Sequence, residues 1–107
     1  MSLSIAEKKR FRRIGHELKP VVMLGNNGLS ETVMAEITRA LDDHELIKVR
    51  IGGEDREARA EAIAHMATEC KAEVVQIIGK VVVLYKRAKK PDPKLSNLLR
   101  FAKLGEA

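Results

Sequence analysis

The 107-residue sequence has little cysteine, few aromatic residues and no long apolar segment. Its single cysteine, Cys70, cannot form an internal disulfide bond, and there is no CxxC or Cys/His spacing that would bind zinc. The longest apolar runs, 21–24 and 81–85, are far too short to cross a bilayer, and residues 1–11 do not resemble a signal peptide. We therefore expect a soluble, cytoplasmic protein with no membrane partner.

The parts needed for catalysis are also missing. No nucleophile is accompanied by a plausible base, no acids form a recognisable pair, and there is no Walker-type loop. His16, His44 and His65 share no spacing or acidic framework that would bind a metal. The sequence thus predicts a protein that is not an enzyme, with no catalytic or metal site, no cofactor and no small-molecule substrate. An aromatic content of 3% argues against an RNA-recognition motif or an OB-fold, since both stack bases on aromatic rings.

The basic residues are concentrated in two segments. Lysine and arginine number 20 against 15 acidic residues, which gives a net charge of +5. Six basic residues lie in 8–19 and five in 86–94, each segment with one acid, so the rest of the chain is net acidic. A patchy cationic distribution favours a polyanionic partner such as nucleic acid. Basic runs that merely keep a small protein soluble remain the alternative at this point.

Hydrophobic periodicity predicts a first helix over about residues 4–18, with an apolar stripe formed by Phe11, Ile14 and Leu18. The opposite face collects four cationic side chains, those of Lys8, Lys9, Arg12 and Arg13. This helix would dock by one side and present cations on the other. Pro20 ends it, because the residue before a proline is pushed out of helical geometry.

The following residues alternate short strands with helices. Residues 21–24 predict a buried strand, a second helix begins near Ser30, and residues 46–51 alternate so that Lys48 and Arg50 share the outer face. A third helix, capped by Asp55, runs to about residue 70, and strands 73–78 and 81–85 flank a hairpin turn at 79–80. Cys70 and the methionines Met23, Met34 and Met66 are interpreted as core residues. With 45% hydrophobic residues, this α-β-α-β-α-β-β order can build one compact core.

The tail, residues 88–107, is predicted to be separate from the domain formed by residues 1–87. Its start, 89–93, is basic and proline-rich like a linker. Beyond the linker, Asp92 as the N-cap could begin a short amphipathic helix with Leu95, Leu98 and Leu99 on one side. Such a helix could either dock on the domain or stay loose.

A glycine-rich loop connects the first strand to the second helix, and it consists of Gly25, Asn26, Asn27 and Gly28. Two glycines let the backbone approach a ligand closely, and free N–H groups at a helix start attract phosphate oxygens. In KH domains, a GxxG loop of this kind clamps the backbone of single-stranded nucleic acid. A plain turn is an equally ordinary reading of the loop, because strand-to-helix turns often use Gly and Asn for positive φ.

Four ordered blocks of the sequence resemble the CRM domain, named for chloroplast RNA splicing and ribosome maturation, and in particular its stand-alone bacterial YhbY-like form. The blocks are residues 18–20, 24–29, 44–51 and 75–80 with 83–85. The resemblance covers about residues 5–87 and implies an α/β fold: a four-stranded mixed sheet with helices packed on it, similar to the C-terminal domain of a bacterial translation initiation factor. It also implies RNA binding, with ribosomal RNA or a precursor of the large ribosomal subunit as the partner.

The resemblance assigns the RNA-contacting loop to Gly25, Asn26, Asn27 and Gly28. Many family members carry a basic residue inside this loop, whereas this chain has two asparagines. We therefore expect the positive charge to come from the first helix, through Lys8, Lys9, Arg12 and Arg13, and from Lys48 and Arg50 on the second strand. A protein-interaction adaptor that uses the tail helix, and a general nucleic-acid binder with no link to ribosomes, remain as alternatives.

Overall fold

The computed structural model describes residues 3–25 and 29–101. The elements are α1 (Ile5–Glu17), β1 (Val22–Leu24), α2 (Glu31–His44), β2 (Leu46–Ile51), α3 (Arg56–Cys70), β3 (Glu73–Ile78), β4 (Val81–Tyr85) and α4 (Asn97–Arg100). The predicted α-β-α-β-α-β-β order is confirmed, and the predicted bounds of these first seven elements agree to within one residue.

The three long helices begin where side chains cap their free N–H groups. The Ser4 hydroxyl accepts a hydrogen bond from the Glu7 N–H, and the Glu7 carboxylate accepts one from the Ser4 N–H, each at 3.1 Å. Ser30 caps α2 through the N–H of Val33, and Asp55 caps α3. Each such cap contributes about 1 kcal/mol, and the caps at Ser30 and Asp55 are why the starts of α2 and α3 could be predicted, whereas α1 was predicted from its apolar periodicity.

The four strands form one mixed sheet in the order β1-β2-β4-β3. β1 runs parallel to β2, whereas β2 with β4 and β4 with β3 are antiparallel. The β3–β4 hairpin turns at Gly79, whose φ of 56° lies in the left-handed region that glycine adopts without strain. Because β1 is parallel to β2, the loop after Leu24 leaves the same end of the sheet as the loop after Ile51.

Two clusters of apolar side chains cover the two faces of the sheet. On one face, α2 and α3 pack on the alternating residues Ile47, Val49 and Ile51 of β2 and on Val82 and Leu84 of β4. Ile37, Leu41 and Met66 are fully buried there. Full burial of one such side chain contributes about 1.5–3 kcal/mol, so this face supplies much of the stability. The core positions predicted for Met66 and Cys70 are confirmed, and Met34 is partly buried against the same cluster.

The opposite face, called here the α1 face, is covered only in part. Phe11 and Ile14 of α1 pack with Leu46, Val75 and Val83 of the sheet. A Cβ atom on Gly15 would lie 3.1 Å from a methyl group of Val83, so the glycine allows α1 to approach the sheet closely. The core position predicted for Met23 is wrong. Its side chain is 70% exposed, because it lies on the α1 face beyond the reach of that helix.

The tail packs on the domain through a buried carboxylate. Glu45, only 4% exposed, accepts hydrogen bonds from the Ser96 hydroxyl at 2.7 Å and from the Ala88 N–H at 2.9 Å. The Asn97 side chain donates to the Leu46 carbonyl at 2.7 Å, and Leu98 joins the apolar cluster on the α1 face. We call this set of contacts the Glu45 clamp.

The tail helix is shorter than predicted and begins at Asn97, not near Asp92. The Asp92 carboxylate instead accepts a hydrogen bond from the Lys94 N–H, and its carbonyl accepts from the N–H groups of Leu95 and Ser96. These bonds fold residues 92–96 into turns, and the Glu45 clamp holds Ser96 in place. The division into a domain of residues 1–87 and a tail of residues 88–107 stays a prediction. The last predicted residues of the tail, 102–107, lie outside the described residues.

Candidate nucleic-acid interface

The glycine-rich loop begins at one end of the sheet. Gly25 follows the last residue of β1 and is exposed, and apart from its chain neighbours no atom of the described residues lies within 4 Å of the position that a Cβ would occupy. Asn26, Asn27 and Gly28 lie outside the described residues. The chain is described again from Leu29, which packs against the core, and Ser30, which caps α2. The loop therefore joins the end of β1 to the first turn of α2, as predicted.

Two further glycine-containing turns lie beside Gly25. The Gly52 N–H donates to the Leu24 carbonyl at 2.8 Å, and the Ile51 N–H donates to the Lys80 carbonyl at 2.7 Å. These bonds bring the β2–α3 and β3–β4 turns next to the start of the loop. A Cβ on Gly52 would lie 2.7 Å from the Leu24 carbonyl oxygen, so only glycine fits this close approach.

A groove of about 630 Å³ lies between these turns and the start of α3. Its lining includes two basic residues, Arg59 and Lys80, and two acidic residues, Glu54 and Asp55. Arg59 donates to the Gly53 carbonyl at 3.0 Å, which fixes the turn. Sequence reasoning missed Arg59 and Lys80 as neighbours of the loop, because only the pairing of β2 with both β1 and β4 brings them there. The charge beside the loop is mixed, so this end of the sheet does not supply a strong positive field by itself.

The cations of α1 lie where the helical pattern predicts. Lys9, Arg12 and Arg13 are exposed and Lys8 is half-buried, while Phe11 and Ile14 face the sheet. Glu17 lines a pocket together with Asn97 and Phe101, so the tail lies along the Glu17 side of α1. At 3.6 residues per turn, Lys8 and Arg12 are roughly 140–180° away from Glu17, on the side of α1 opposite the described residues of the tail. Lys9 and Arg13 point away from the sheet and extend the cationic surface outward.

Lys48 and Arg50 lie on the same face of the sheet as α1, since they alternate with Ile47, Val49 and Ile51 of the opposite cluster. Lys48 is paired with Val83, the residue on which Gly15 packs, and is therefore close to α1. Arg50 is exposed and lies two residues further along β2, toward Gly25. The structure thus brings α1, Lys48, Arg50 and Gly25 onto one continuous surface, which is called here the cationic face.

The second basic segment does not belong to the cationic face. It follows Tyr85 at the end of β4, and Tyr85 is paired with Leu46, the first residue of β2. This segment therefore leaves the opposite end of the sheet from Gly25. Lys86 lies 3.9 Å from the Asp42 carboxylate, and this exposed pair contributes little to stability. Phe11 of α1 packs against Tyr85 with ring centroids 4.7 Å apart, so the second basic segment begins beside α1, at the end of the sheet far from Gly25.

His44, one of the three histidines considered above as metal ligands, has a structural role. The His44 ring donates a hydrogen bond through Nδ1 to the Leu95 carbonyl at 2.8 Å, so this histidine helps to hold the tail. Within residues 3–25 and 29–101, no group of three or more His, Cys, Asp or Glu side chains is placed to bind a metal ion. In the same ranges, no helix is long and apolar enough to span a membrane.

The structure is a small α/β domain with a mixed sheet. A glycine-rich loop begins at one end of this sheet, next to the cationic face. The CRS1/YhbY (CRM) domain model matches residues 3–86 of the chain. The chain therefore belongs to the CRS1/YhbY (CRM) domain family, which confirms the resemblance found in the sequence.

Several proteins that are similar to this chain carry RNA binding in their names. Probable RNA-binding protein PA4753 of Pseudomonas aeruginosa is 44% identical over 102 residues, 95% of this chain and 98% of the relative. An RNA-binding protein of Haemophilus influenzae is 49% identical over 85 residues, 79% of this chain and 86% of the relative. The similarity to PA4753 extends into the tail, whereas the family match ends at residue 86.

A solved structure shares the fold. The solution structure of SAV1595 from Staphylococcus aureus, described as a candidate RNA-binding protein, superposes with a TM-score of 0.74 at 25% sequence identity. The superposition covers 89% of this chain and 98% of that protein. The predicted α/β fold class with a four-stranded mixed sheet is thereby confirmed.

Proposed function

We propose that this protein is a non-enzymatic RNA-binding protein of the cytoplasm that associates with RNA of large-ribosomal-subunit precursors. The observation that carries the proposal is the cationic face, where Lys48 and Arg50 of the sheet lie beside the basic helix α1 and lead to Gly25. The relatives named as RNA-binding proteins support RNA as the polyanion. The link to ribosome precursors comes from the family resemblance, and it needs its own test.

In this proposal the protein binds RNA through two kinds of contact. The loop of residues 25–28 approaches the RNA backbone through its N–H groups and the two asparagine side chains, which can donate hydrogen bonds without carrying charge. The lysines and arginines of α1 and β2 supply the long-range attraction to phosphates. Each phosphate neutralised on a single strand should make the slope of log affinity against log salt more negative by roughly 0.7.

A substitution in the loop tests whether the loop contacts RNA. Gly28→Asp places a carboxylate where phosphate is expected to bind, so it should weaken RNA binding about tenfold or more through charge repulsion. Fluorescence anisotropy with a labelled ribosomal RNA fragment measures the change. Ala35→Asp, at an exposed position on α2, adds the same charge elsewhere and serves as the control. Equal affinities for Gly28→Asp and Ala35→Asp, with both proteins folded, would remove the loop from the binding site.

Sedimentation tests the link to ribosome precursors. The protein, at its native level in a cell lysate, should migrate with free large-subunit particles on a sucrose gradient. This co-migration should disappear after ribonuclease treatment and at raised salt, because the contacts are electrostatic and go to RNA. Migration only at the top of the gradient at every salt concentration would contradict the ribosomal partner. Association that survives both treatments would favour the protein-interaction adaptor.

A further inference from the structure

Within residues 3–25 and 29–101, part of the α1 face forms an uncovered row of side chains across all four strands. Met23 of β1 is paired with Arg50 of β2, Arg50 with Val81 of β4, and Val81 with Ile78 of β3. All four side chains lie on the α1 face, because their neighbours Leu24, Ile51 and Val82 belong to the cluster on the other face. We call this set the Met23–Ile78 row.

Three of the four side chains of the row are apolar, and the row is open to solvent. Met23 is 70% exposed, Ile78 is 53% exposed, Arg50 is exposed and Val81 is half-buried. The next row of the same face contains Val83, on which Gly15 of α1 packs, so the helix covers the sheet only from that row onward. Apolar side chains grouped on an open sheet face mark a surface that binds a partner, whereas scattered ones do not.

The charges of this surface indicate the chemistry of the partner. The Met23–Ile78 row and the residues paired in the next row, Lys48, Val83 and Gln76, contain two cations and no acid. A second copy docked about a two-fold axis would place these cations close to one another, which is unfavourable. A polyanion with flat apolar faces fits better, and unpaired nucleotides have both properties.

We propose that the Met23–Ile78 row is a platform for the unpaired bases of the bound RNA, an inference that rests on the RNA binding proposed above. The Arg50 guanidinium at the middle of the row stacks on a base, as planar arginine side chains do in RNA recognition. Met23 and Ile78 contact the flanking bases, and the flexible thioether of Met23 adapts to different bases. The platform takes the place of the stacking aromatic residues of other RNA-binding domains, since only 3% of this chain is aromatic, and Gly25 lies two residues beyond Met23.

Two adjacent isoleucines provide a matched test of the platform. Ile78 and Ile77 are 53% and 54% exposed, but they lie on opposite faces of β3, paired with Val81 and Val82. Ile78→Ala should weaken binding of a single-stranded oligoadenylate of about ten nucleotides roughly fivefold, since apolar contact area is lost. The salt dependence should stay unchanged because no charge is removed. Ile77→Ala should leave the affinity unchanged, as should Ile78→Ala with duplex RNA of the same length.

A conservative substitution separates stacking from charge at the centre of the row. Arg50→Lys keeps the positive charge but loses the planar guanidinium. It should therefore lower the affinity for oligoadenylate severalfold with the salt dependence retained. Arg39→Lys, on α2 with a side chain 86% exposed, is the control. Circular dichroism and thermal unfolding would confirm that all variants are folded.

Each outcome distinguishes the platform from the RNA binding on which it rests. If the unsubstituted protein binds neither single-stranded nor duplex RNA, the proposed function fails and the platform with it. If it binds RNA but Ile78→Ala and Ile77→Ala behave alike, RNA binding stands and the platform is refuted. A dimer, measured by analytical ultracentrifugation, that Ile78→Ala dissociates while RNA affinity stays constant would show instead that the row joins two copies of the chain.

Discussion

The Glu45 clamp leads to a prediction about stability whose size follows from its geometry. Glu45→Ala removes the acceptor of two hydrogen bonds, from the Ser96 hydroxyl and from the Ala88 N–H, and Ser96 is fully buried. A hydrogen bond to a charged group contributes about 1.5–3 kcal/mol, and the desolvation of the buried carboxylate offsets part of this. We expect a net loss of about 2–4 kcal/mol in the free energy of unfolding, a drop in Tm of roughly 10 °C or more.

The backbone at Glu45 allows the side-chain contribution to be separated from conformational strain. Its φ of 61° and ψ of −48° lie in a sparsely populated region that non-glycine residues adopt at a cost of about 1–3 kcal/mol. Glu45→Gly relieves that strain while losing the same hydrogen bonds, so it should be less destabilising than Glu45→Ala by about this amount. Ser96→Ala should also destabilise the protein, because it leaves the Glu45 carboxylate with a missing donor.

Breaking the clamp should destabilise the protein and release the tail. Urea denaturation measures the first effect, and trypsin digestion at the lysines of the tail measures the second. Glu45→Ala should unfold at lower urea concentration and should be cleaved near residues 89–90 faster than the unsubstituted protein. Glu36→Ala, an exposed glutamate on α2, is the control for removing an acid. If Glu45→Ala unfolds within about 0.5 kcal/mol of the control, the clamp does not hold the tail and the reasoning is wrong.

Two further predictions concern the sheet. Gly52→Ala should lower the free energy of unfolding by about 1–3 kcal/mol in urea denaturation, since its Cβ would lie 2.7 Å from the Leu24 carbonyl oxygen, whereas Gly25→Ala, with open space around it, should have little effect. Equal effects of the two substitutions would contradict the close approach of the turns. Burial, and then the nearby Glu45 carboxylate, raise the pKa of Tyr85 above 10.0, so its contribution to stability is present below pH 10 and is lost as the pH rises through the folded-state pKa. Thermal unfolding should show a smaller loss of stability above pH 10 in Tyr85→Phe, and an unchanged pH profile would contradict this assignment.

The elements of the domain could be predicted because their signals are local. Caps at Ser4, Ser30 and Asp55 lie within three residues of the groups that they bind, and the alternation along β2 spans six residues. β1 has only three residues, which is too short for an alternating strand to be told from a fully buried one. The exposure of Met23 was therefore predicted wrongly, and the row to which it belongs appears only through the strand order.

Long-range contacts could not be predicted from the sequence. Glu45 and Ser96 are separated by 51 residues, and neither position carries a local signal of the contact. The same holds for the second basic segment, which the pairing of Tyr85 with Leu46 places at the end of the sheet opposite Gly25. The positions predicted for the cations of α1, Lys48 and Arg50 on one surface agree with the structure. Their contact with RNA stays a prediction.

The tail contacts β2, the strand that also carries Lys48 and Arg50 of the cationic face. The Glu45 clamp therefore affects the surface proposed to bind RNA. Asn97 holds the Leu46 carbonyl at the first position of β2, and the Glu45 carbonyl accepts the Lys86 N–H at 2.9 Å. Lys48 and Arg50 follow on this strand by two and four positions beyond Leu46, and α1 packs on Leu46 itself. Because the clamp fixes the end of β2 against both α1 and the tail, it also fixes the cations relative to the helix. The described residues of the tail therefore contribute to the geometry of the proposed RNA surface without lying on it.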